Sequence, residues 1–118
     1  MQDKVYEGQS FEQINNSLET AEYEDCTFTD CNLEGANLSG ITFMDCTFHN
    51  CNLSNAKLAD TGMKTVSFSN CKLMGLMFMD CSSFLFAVSF ADCQLHFSSF
   101  YQMKLKSTSF VNCNLQEA

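Results

Sequence analysis

Large apolar residues recur at every fifth position along most of the chain. They run from Leu18 to Phe78 and, after a slip of two residues, resume at Leu85 and continue to Leu115. A small or moderately apolar residue generally stands two positions before each of them, and the other three positions of each unit are mostly polar or Gly. A period of five matches neither the 3.6-residue helix nor the two-residue alternation of a long strand. The pattern therefore predicts short extended units, each of which turns two side chains inward.

A second period of twenty residues is superimposed on the first. The strings TFTDCNL, TFHNCNL, SFSNCKL, SFADCQL and SFVNCNL succeed one another along the chain. Their large residues form two columns: Phe28, Phe48, Phe68, Phe90 and Phe110, and Leu33, Leu53, Leu73, Leu95 and Leu115. One coil cannot bury its own apolar residues, but stacked coils share backbone hydrogen bonds at ~4.8 Å and enclose a continuous interior. Four units per coil predict an all-β solenoid of about five coils.

The five-residue unit resembles that of the pentapeptide-repeat family. GANLSG, around Leu38, and SNAKLAD, around Leu58, follow the family consensus A(D/N)LXX, and elsewhere Cys often replaces Ala. The resemblance covers about residues 16–115 and implies a right-handed quadrilateral parallel β-helix. VYEGQSFEQI and EYEDCTFTDCNL are similar to the quinolone-resistance (Qnr-type) branch. That similarity implies a DNA-like rod that dimerises end to end and binds type II topoisomerases such as DNA gyrase.

The repeat pattern predicts a single domain over residues 1–118. Residues 1–14 carry no repeat and are expected to form an N-terminal cap, while residues 15–118 form the repeats, with a two-residue slip near 79–84 that bulges a corner outward. The apolar residues expected to cover the first coil are Val5, Tyr6, Phe11 and Ile14. The last repeat ends in QEA with no recognisable cap, which predicts either a chain truncated at that point or a homodimer through the uncapped C-terminal coil.

Negative charge is concentrated in the first part of the chain. The net charge is −8, and residues 1–50 hold ten acids and one Lys. This argues against direct nucleic-acid binding, which requires a basic surface. The candidate acidic patch consists of Glu19, Glu22, Glu24, Asp25, Asp30 and Glu34. It is either a DNA-mimicking surface or a solvated end of the rod, and the second interpretation is favoured because a mimic should spread its charge along the axis.

The cysteines fit the repeat better than they fit a metal site or a disulfide framework. All eight occupy the inward small position: Cys26, Cys31, Cys46, Cys51, Cys71, Cys81, Cys93 and Cys113. Stacking places them near the ~4.8 Å strand spacing, whereas a disulfide requires Cβ atoms about 3.8 Å apart. We therefore expect buried free thiols, no metal and no cofactor. Free thiols in turn predict a reducing compartment and a cytoplasmic location.

No group of residues predicts catalysis. His49 and His96 each follow a large inward residue and are expected on outward corners, with no acid or thiol placed beside them by the repeat. A filled β-helix offers no concave interior for a catalytic pair. The N-terminus lacks the apolar core of a signal peptide, and no window approaches the length of a membrane span. The sequence thus predicts a non-enzyme that does not associate with membranes.

Apolar residues at positions expected to point outward cluster around the slip. They are Met74, Met77, Met79, Phe84, Phe86, Phe97 and Tyr101. Such a cluster is typical of a protein interface, although the slip could instead turn several of them into the core. We therefore predict a protein-interaction module or scaffold with an unidentified partner. The alternative is a DNA-mimicking binder of DNA gyrase that protects against quinolones.

Overall fold

The computed structural model describes residues 4–105 and 108–118, and within these ranges it contains nine short strands and one 3-10 helix. All strand pairings are parallel. The strands are β1 (Val5–Glu7), β2 (Ser10–Glu12), β3 (Glu22–Glu24), β4 (Thr27–Thr29), β5 (Thr42–Met44), β6 (Thr47–His49), β7 (Gly62–Ser69), β8 (Ala87–Ala91) and β9 (Ser109–Val111). The 3-10 helix spans Phe78–Asp80.

The chain winds into about five coils of a right-handed quadrilateral β-helix, as the repeat predicts. Face 1 is the ladder β1-β3-β5-β7, and face 2 is the ladder β2-β4-β6-β7-β8-β9, with β7 turning the corner between them. Face 3 is held by the backbone bridges from Asn15 through Asn32, Asn52, Lys72 and Gln94 to Asn114. Face 4 is held by bridges between Asn37 and Lys57 and between Met77 and Ser99.

Aromatic columns fill the interior behind faces 1 and 2. On face 2, Phe48 and Phe68 stack with ring centroids 5.2 Å apart, and Phe68 and Phe90 stack at 5.3 Å. Tyr23 on face 1 meets Phe28 edge to face at 5.4 Å. Each pair gains from ring geometry as well as from burial. The predicted twenty-residue columns are therefore the core of the rod.

The polar residues of the repeat make the corners. At nearly every fifth position the backbone has a positive φ, as at Asp25 (54°), Asp30 (56°) and Gly35 (68°). Asn, Asp and Gly tolerate this left-handed conformation better than other residues, which is why they occupy most corners. On the Leu faces the corner is a tight turn in which the backbone N–H of Ala36 donates to the carbonyl of Leu33 at 3.0 Å. The corner residues thus turn the chain after each inward residue.

The expected separate cap at residues 1–14 is wrong for the part of it that the structure describes. Both β1 and β2 pair in register with the next coil, so that Tyr6 lies opposite Tyr23 and Phe11 opposite Phe28. Tyr6, Phe11 and Ile14 pack against the core, whereas Val5 is 46% exposed. The repeat therefore begins before residue 15. It is hard to see in the sequence because these strands precede their partners by seventeen residues instead of twenty.

Candidate functional site

The slip in the repeat is a three-residue insertion followed by the loss of one corner residue. The backbone N–H of Ser82 bonds to Thr61 as that of Gly62 bonds to Ile41, so the register there is still twenty residues. Ala87 lies opposite Lys64, a step of twenty-three, and Val88 lies opposite Val66, a step of twenty-two. The insertion therefore lies between Ser82 and Ala87, somewhat later than the predicted 79–84.

The insertion exchanges the expected roles of two neighbouring residues. Leu85, predicted as an inward residue, is 64% exposed and has a φ of 55°. Phe86, predicted to point outward, is partly buried and packs against the core. Since Ala87 lies opposite Lys64, Phe86 occupies the level above Met63 on face 1. Both predictions are wrong for the same reason: the extra residues loop outward and re-enter the coil one position later than the slip suggests.

The corner between faces 4 and 1 is also irregular at this level. In earlier coils the corner N–H donates across to the next coil, from Gly40 to Ala59 and from Asp60 to Asp80. The 3-10 helix instead directs the N–H of Asp80 to the carbonyl of Met77 at 3.1 Å. This corner therefore contributes no such bond to the following coil.

A groove of about 770 Å³ opens at this irregular corner. It is lined by Met79, Cys81, Ser83, Phe86, Tyr101, Gln102, Met103 and Lys104. Its volume is in the range of ligand-sized clefts, and its lining combines apolar side chains with a few polar groups, as recognition sites commonly do. We call this the slip groove.

The structure brings three of the seven predicted interface residues together in the slip groove: Met79, Phe86 and Tyr101. Phe84 is 64% exposed on the inserted loop, where the Lys64 ammonium lies 5.2 Å from its ring centroid. The others lie outside the groove lining: Met74 is 36% and Phe97 62% exposed, and Met77 is half-buried on face 4.

Sequence reasoning missed Met103, Lys104 and the groove-lining role of Cys81. Met103 stands two positions before Leu105, where the repeat normally places a small residue. A large side chain at that position was the available signal for a local irregularity. The repeat places Lys104 and Cys81 in adjacent coils, but nothing in the linear pattern indicates that a cleft opens between them.

The predicted acidic patch is divided between faces. Glu22 and Glu24 flank Tyr23 on face 1, with Glu7 paired opposite Glu24. Asp25 lies at the corner next to them. The members on other parts of the rod are Glu19 before face 1, Asp30 at the corner between faces 2 and 3, and Glu34 after Leu33 on face 3. The acids thus surround one end of the rod.

Glu19 is partly neutralised by its neighbours. Its carboxylate accepts a hydrogen bond from the Tyr6 hydroxyl at 2.9 Å and lies 3.3 Å from the Lys4 ammonium. The hydroxyl and the ammonium together lower the pKa of Glu19, although the group is exposed. Face 1 therefore carries a less neutralised part of the patch, at Glu22 and Glu24, with Glu7 beside them.

The cysteines are free thiols, and seven of the eight are buried, with Cys113 half-buried. Most of them donate to backbone carbonyls, as Cys46 does to Tyr23 at 3.1 Å. Burial raises the pKa of Cys46 to about 11 and that of Cys81 to about 12. Cys46 and Cys81 are therefore poor nucleophiles at neutral pH. No cluster of His, Cys, Asp or Glu suited to a metal occurs among residues 4–105 and 108–118.

The two histidines lie in different environments. His49 is exposed, as predicted, whereas His96 is half-buried and its Nδ1 is enclosed without a hydrogen-bond partner. The expectation that His96 lies on the open surface is therefore wrong in part. His96 occupies the register position of Met74 in the preceding coil, and its backbone carbonyl accepts a hydrogen bond from the Gly75 N–H at 2.9 Å. In the described part of the chain, no helix has the length and apolar character needed to cross a membrane.

Comparison with known proteins agrees with this geometry. The family profile described as the pentapeptide repeat region matches residues 21–84, more than half of the chain. The chain belongs to the pentapeptide-repeat family. No curated protein sequence matches it.

Solved structures of a quinolone-resistance protein have a similar fold. Two trypsin-treated variants of QnrB1, a plasmid-mediated fluoroquinolone resistance protein, superpose with TM-scores of 0.53 and 0.51. They are 20% and 21% identical to this chain, and the matches cover 98% and 96% of it and 69% and 68% of the QnrB1 chains. At this identity the likeness establishes the shared fold.

Proposed function

We propose that this protein is a non-enzymatic interaction module that binds another protein through the surface around the slip groove. The observation that carries the proposal is that the groove coincides with the only insertion in the regular coils among the described residues. Elsewhere in the middle coils most large apolar side chains are buried, with Met74 and Phe97 as the exposed exceptions. Exposed apolar side chains gathered at one place are typical of a protein interface.

The side chains around the groove are of the types that contribute most to binding. Tyr101 is 68% and Met79 40% exposed, so both can bury further area against a partner. Phe84 and Leu85 project from the inserted loop beside them. Aromatic residues and Met are enriched at interfaces because they offer large contact areas, and Met adapts readily to the shape of its partner. A rigid β-helix holds these side chains in place before binding, which lowers the entropic cost of association.

Affinity capture from the source cells, followed by binding measurements with the purified partner, tests the proposal. Met79→Ser combined with Tyr101→Ser removes two groove side chains, and Val5→Ser combined with Met74→Ser removes two exposed apolar side chains outside the groove. The groove variant should lose the partner and the control should keep it, provided that both retain the wild-type circular dichroism spectrum. Equal retention by both variants would refute the groove as the binding surface.

A second candidate is a DNA-mimicking binder of a type II topoisomerase. Two observations favour it: the fold resembles that of QnrB1, a fluoroquinolone resistance protein, and acidic side chains of face 1 and its corner project side by side. In this function the carboxylates would replace the phosphates of DNA on a basic enzyme surface.

A DNA gyrase supercoiling assay with and without a fluoroquinolone tests this candidate. Relief of the drug's effect, or inhibition of the enzyme at low protein concentration, would support it. Glu22→Lys combined with Glu24→Lys should then abolish the effect, whereas Lys57→Glu on face 4 should not. Activity that survives the charge reversal on face 1 would reject mimicry by this patch.

Self-association and a cytoplasmic location remain predictions. Val111 and Leu115 in the last described coil are 57% and 39% exposed, which is consistent with a homodimer through that coil. Sedimentation equilibrium of the wild type and of Leu115→Ser would test it: a dimer that persists unchanged in the variant would exclude this surface. The free thiols support the expectation of a reducing compartment.

A further inference from the structure

The backbone ladder of the β-helix is interrupted at the slip groove. In earlier coils the first residue of face 1 donates its N–H to the coil before it, as Thr42 does to Ala21 at 3.2 Å and Gly62 does to Ile41 at 2.8 Å. By the same pattern Lys104 would donate to the carbonyl of Cys81. Within the described residues that bond is not made, and neither group has another hydrogen-bond partner.

The missing bond leaves complementary backbone groups around one cleft. The carbonyl of Tyr101 is the acceptor that the Asp80 N–H would use in a regular corner, and it too is without a partner in the described structure. Tyr101, Lys104 and Cys81 all line the groove. A site with one free N–H and two free carbonyls beside apolar walls matches the alternating donors and acceptors of an extended peptide.

The charge of the groove selects among such peptides. Lys104 lines the groove, and Lys64 lies beside the inserted loop. No acidic side chain is among the residues that line the groove, although the chain as a whole has a net charge of −8. A carboxylate on the incoming segment would therefore meet a cation, and its apolar side chain would meet Met79, Phe86 and Met103.

We propose that the slip groove receives an extended segment of the partner protein, which joins the interrupted ladder between Cys81 and Lys104 and carries an apolar residue next to an acidic one. This inference rests on the proposed function and specifies the chemistry of the partner at the same site. Main-chain hydrogen bonds contribute affinity that does not depend on side chains. Specificity comes from the apolar walls and from Lys104.

Fluorescence anisotropy with labelled synthetic peptides of about eight residues tests this mode of binding to the full chain. The first peptide alternates Val with Asp, the second alternates Val with Lys, and the third is the acidic peptide with alternate backbone nitrogens methylated. The acidic peptide should bind best. Methylation should weaken its binding roughly tenfold, because it removes the N–H donors that reach the free carbonyls.

Charge reversal provides the matched control. Lys104→Glu should shift the preference from the acidic to the basic peptide, while Lys72→Glu on face 3 should leave the preference unchanged. Equal binding of methylated and unmethylated peptides, or equal effects of the two Lys variants, would overturn the inference.

The outcomes also separate this inference from the proposed function. If none of the three peptides binds while the Met79→Ser/Tyr101→Ser variant loses its captured partner, the groove binds a folded surface of that partner. The inference about an extended segment is then refuted, and the proposed function as an interaction module is supported. If the captured partner proves to be a second copy of this chain bound through a folded face, the inference fails in the same way. If the peptides bind as expected but the groove variant captures the partner as well as the wild type does, the groove binds peptides without being the partner's binding surface. The proposed function is then refuted.

Discussion

Replacing Phe68 with alanine should destabilise the protein severely, because this ring lies in the middle of the face 2 column. It is 1% exposed and stacks between Phe48 at 5.2 Å and Phe90 at 5.3 Å. Phe78 meets it edge to face at 6.4 Å. Truncation of a Phe in a packed core costs about 3–5 kcal/mol, which combines lost burial with the cavity left behind. The two stacked contacts place Phe68→Ala towards the upper end of that range.

Two further substitutions show whether the cost comes from the column. Phe110 is half-buried and stacks on Phe90 at 5.1 Å, so Phe110→Ala should cost about half as much as Phe68→Ala. Phe84 is 64% exposed and contacts Lys64, so Phe84→Ala should change stability by no more than about 0.5 kcal/mol.

Urea unfolding followed by far-ultraviolet circular dichroism measures these free energies. A loss of several kcal/mol is a large share of the roughly 5–15 kcal/mol that stabilises a small domain, so Phe68→Ala should lower the urea midpoint markedly or prevent folding. If Phe68→Ala cost less than about 1 kcal/mol, or no more than Phe84→Ala, the column would not be the source of stability and the reasoning would be refuted.

Three further predictions concern the backbone and the buried thiols. Leu85→Asn should raise the free energy of unfolding by about 1 kcal/mol, since Asn accepts the φ of 55° more readily than Leu; an unchanged urea midpoint would contradict this. Gly75→Ala should cost about 1 kcal/mol because its φ of 70° disfavours a residue with a Cβ, and about as much as Gly35→Ala, since the exposed Asn55 side chain that the Cβ would overlap can turn away; a cost twice that of Gly35→Ala in urea unfolding would contradict this. The pKa of Cys46 is raised by burial to about 11 from an ordinary value of 9.0, so the unfolded thiol ionises first and stability falls as pH rises from 9.0 to about 11. Urea titrations across that range should show a shallower fall for Cys46→Ala than for the wild type, and parallel curves would argue against burial as the cause.

Much of the fold follows from counting residues. Phe28 and Phe48 are twenty apart, and stacking at that interval requires only that each coil contain four equal units. The Asp and Asn corners were visible as polar positions, although their positive φ became apparent only in the structure. Tyr6 and Phe11 keep the five-residue spacing, but their seventeen-residue distance from the next coil hid them from the longer period. Their strand pairing shows that they belong to the rod.

The candidate site was predictable only in outline. The sequence places apolar residues such as Met79 and Tyr101 near an irregularity, and both line the slip groove. It shows a net slip of two residues, which cannot distinguish a simple two-residue insertion from three residues gained and one lost. It also cannot decide whether Leu85 or Phe86 turns inward, because the residues are adjacent and similarly apolar. The path of the inserted loop and the space above Met63 decide that choice.

By itself, the sequence determined that this chain forms stacked coils with columns of Phe, Leu and Cys inside. Apolar residues that recur at this fixed interval are buried only when successive coils stack on one another. Only the tertiary structure decided where the regular ladder stops. The 3-10 corner at Phe78–Asp80 and the unmade bond between Lys104 and Cys81 arise from contacts between successive coils, and these depend on the local path of the backbone. The resulting groove depends on how successive coils pack in three dimensions, so the period of the sequence repeat does not predict it.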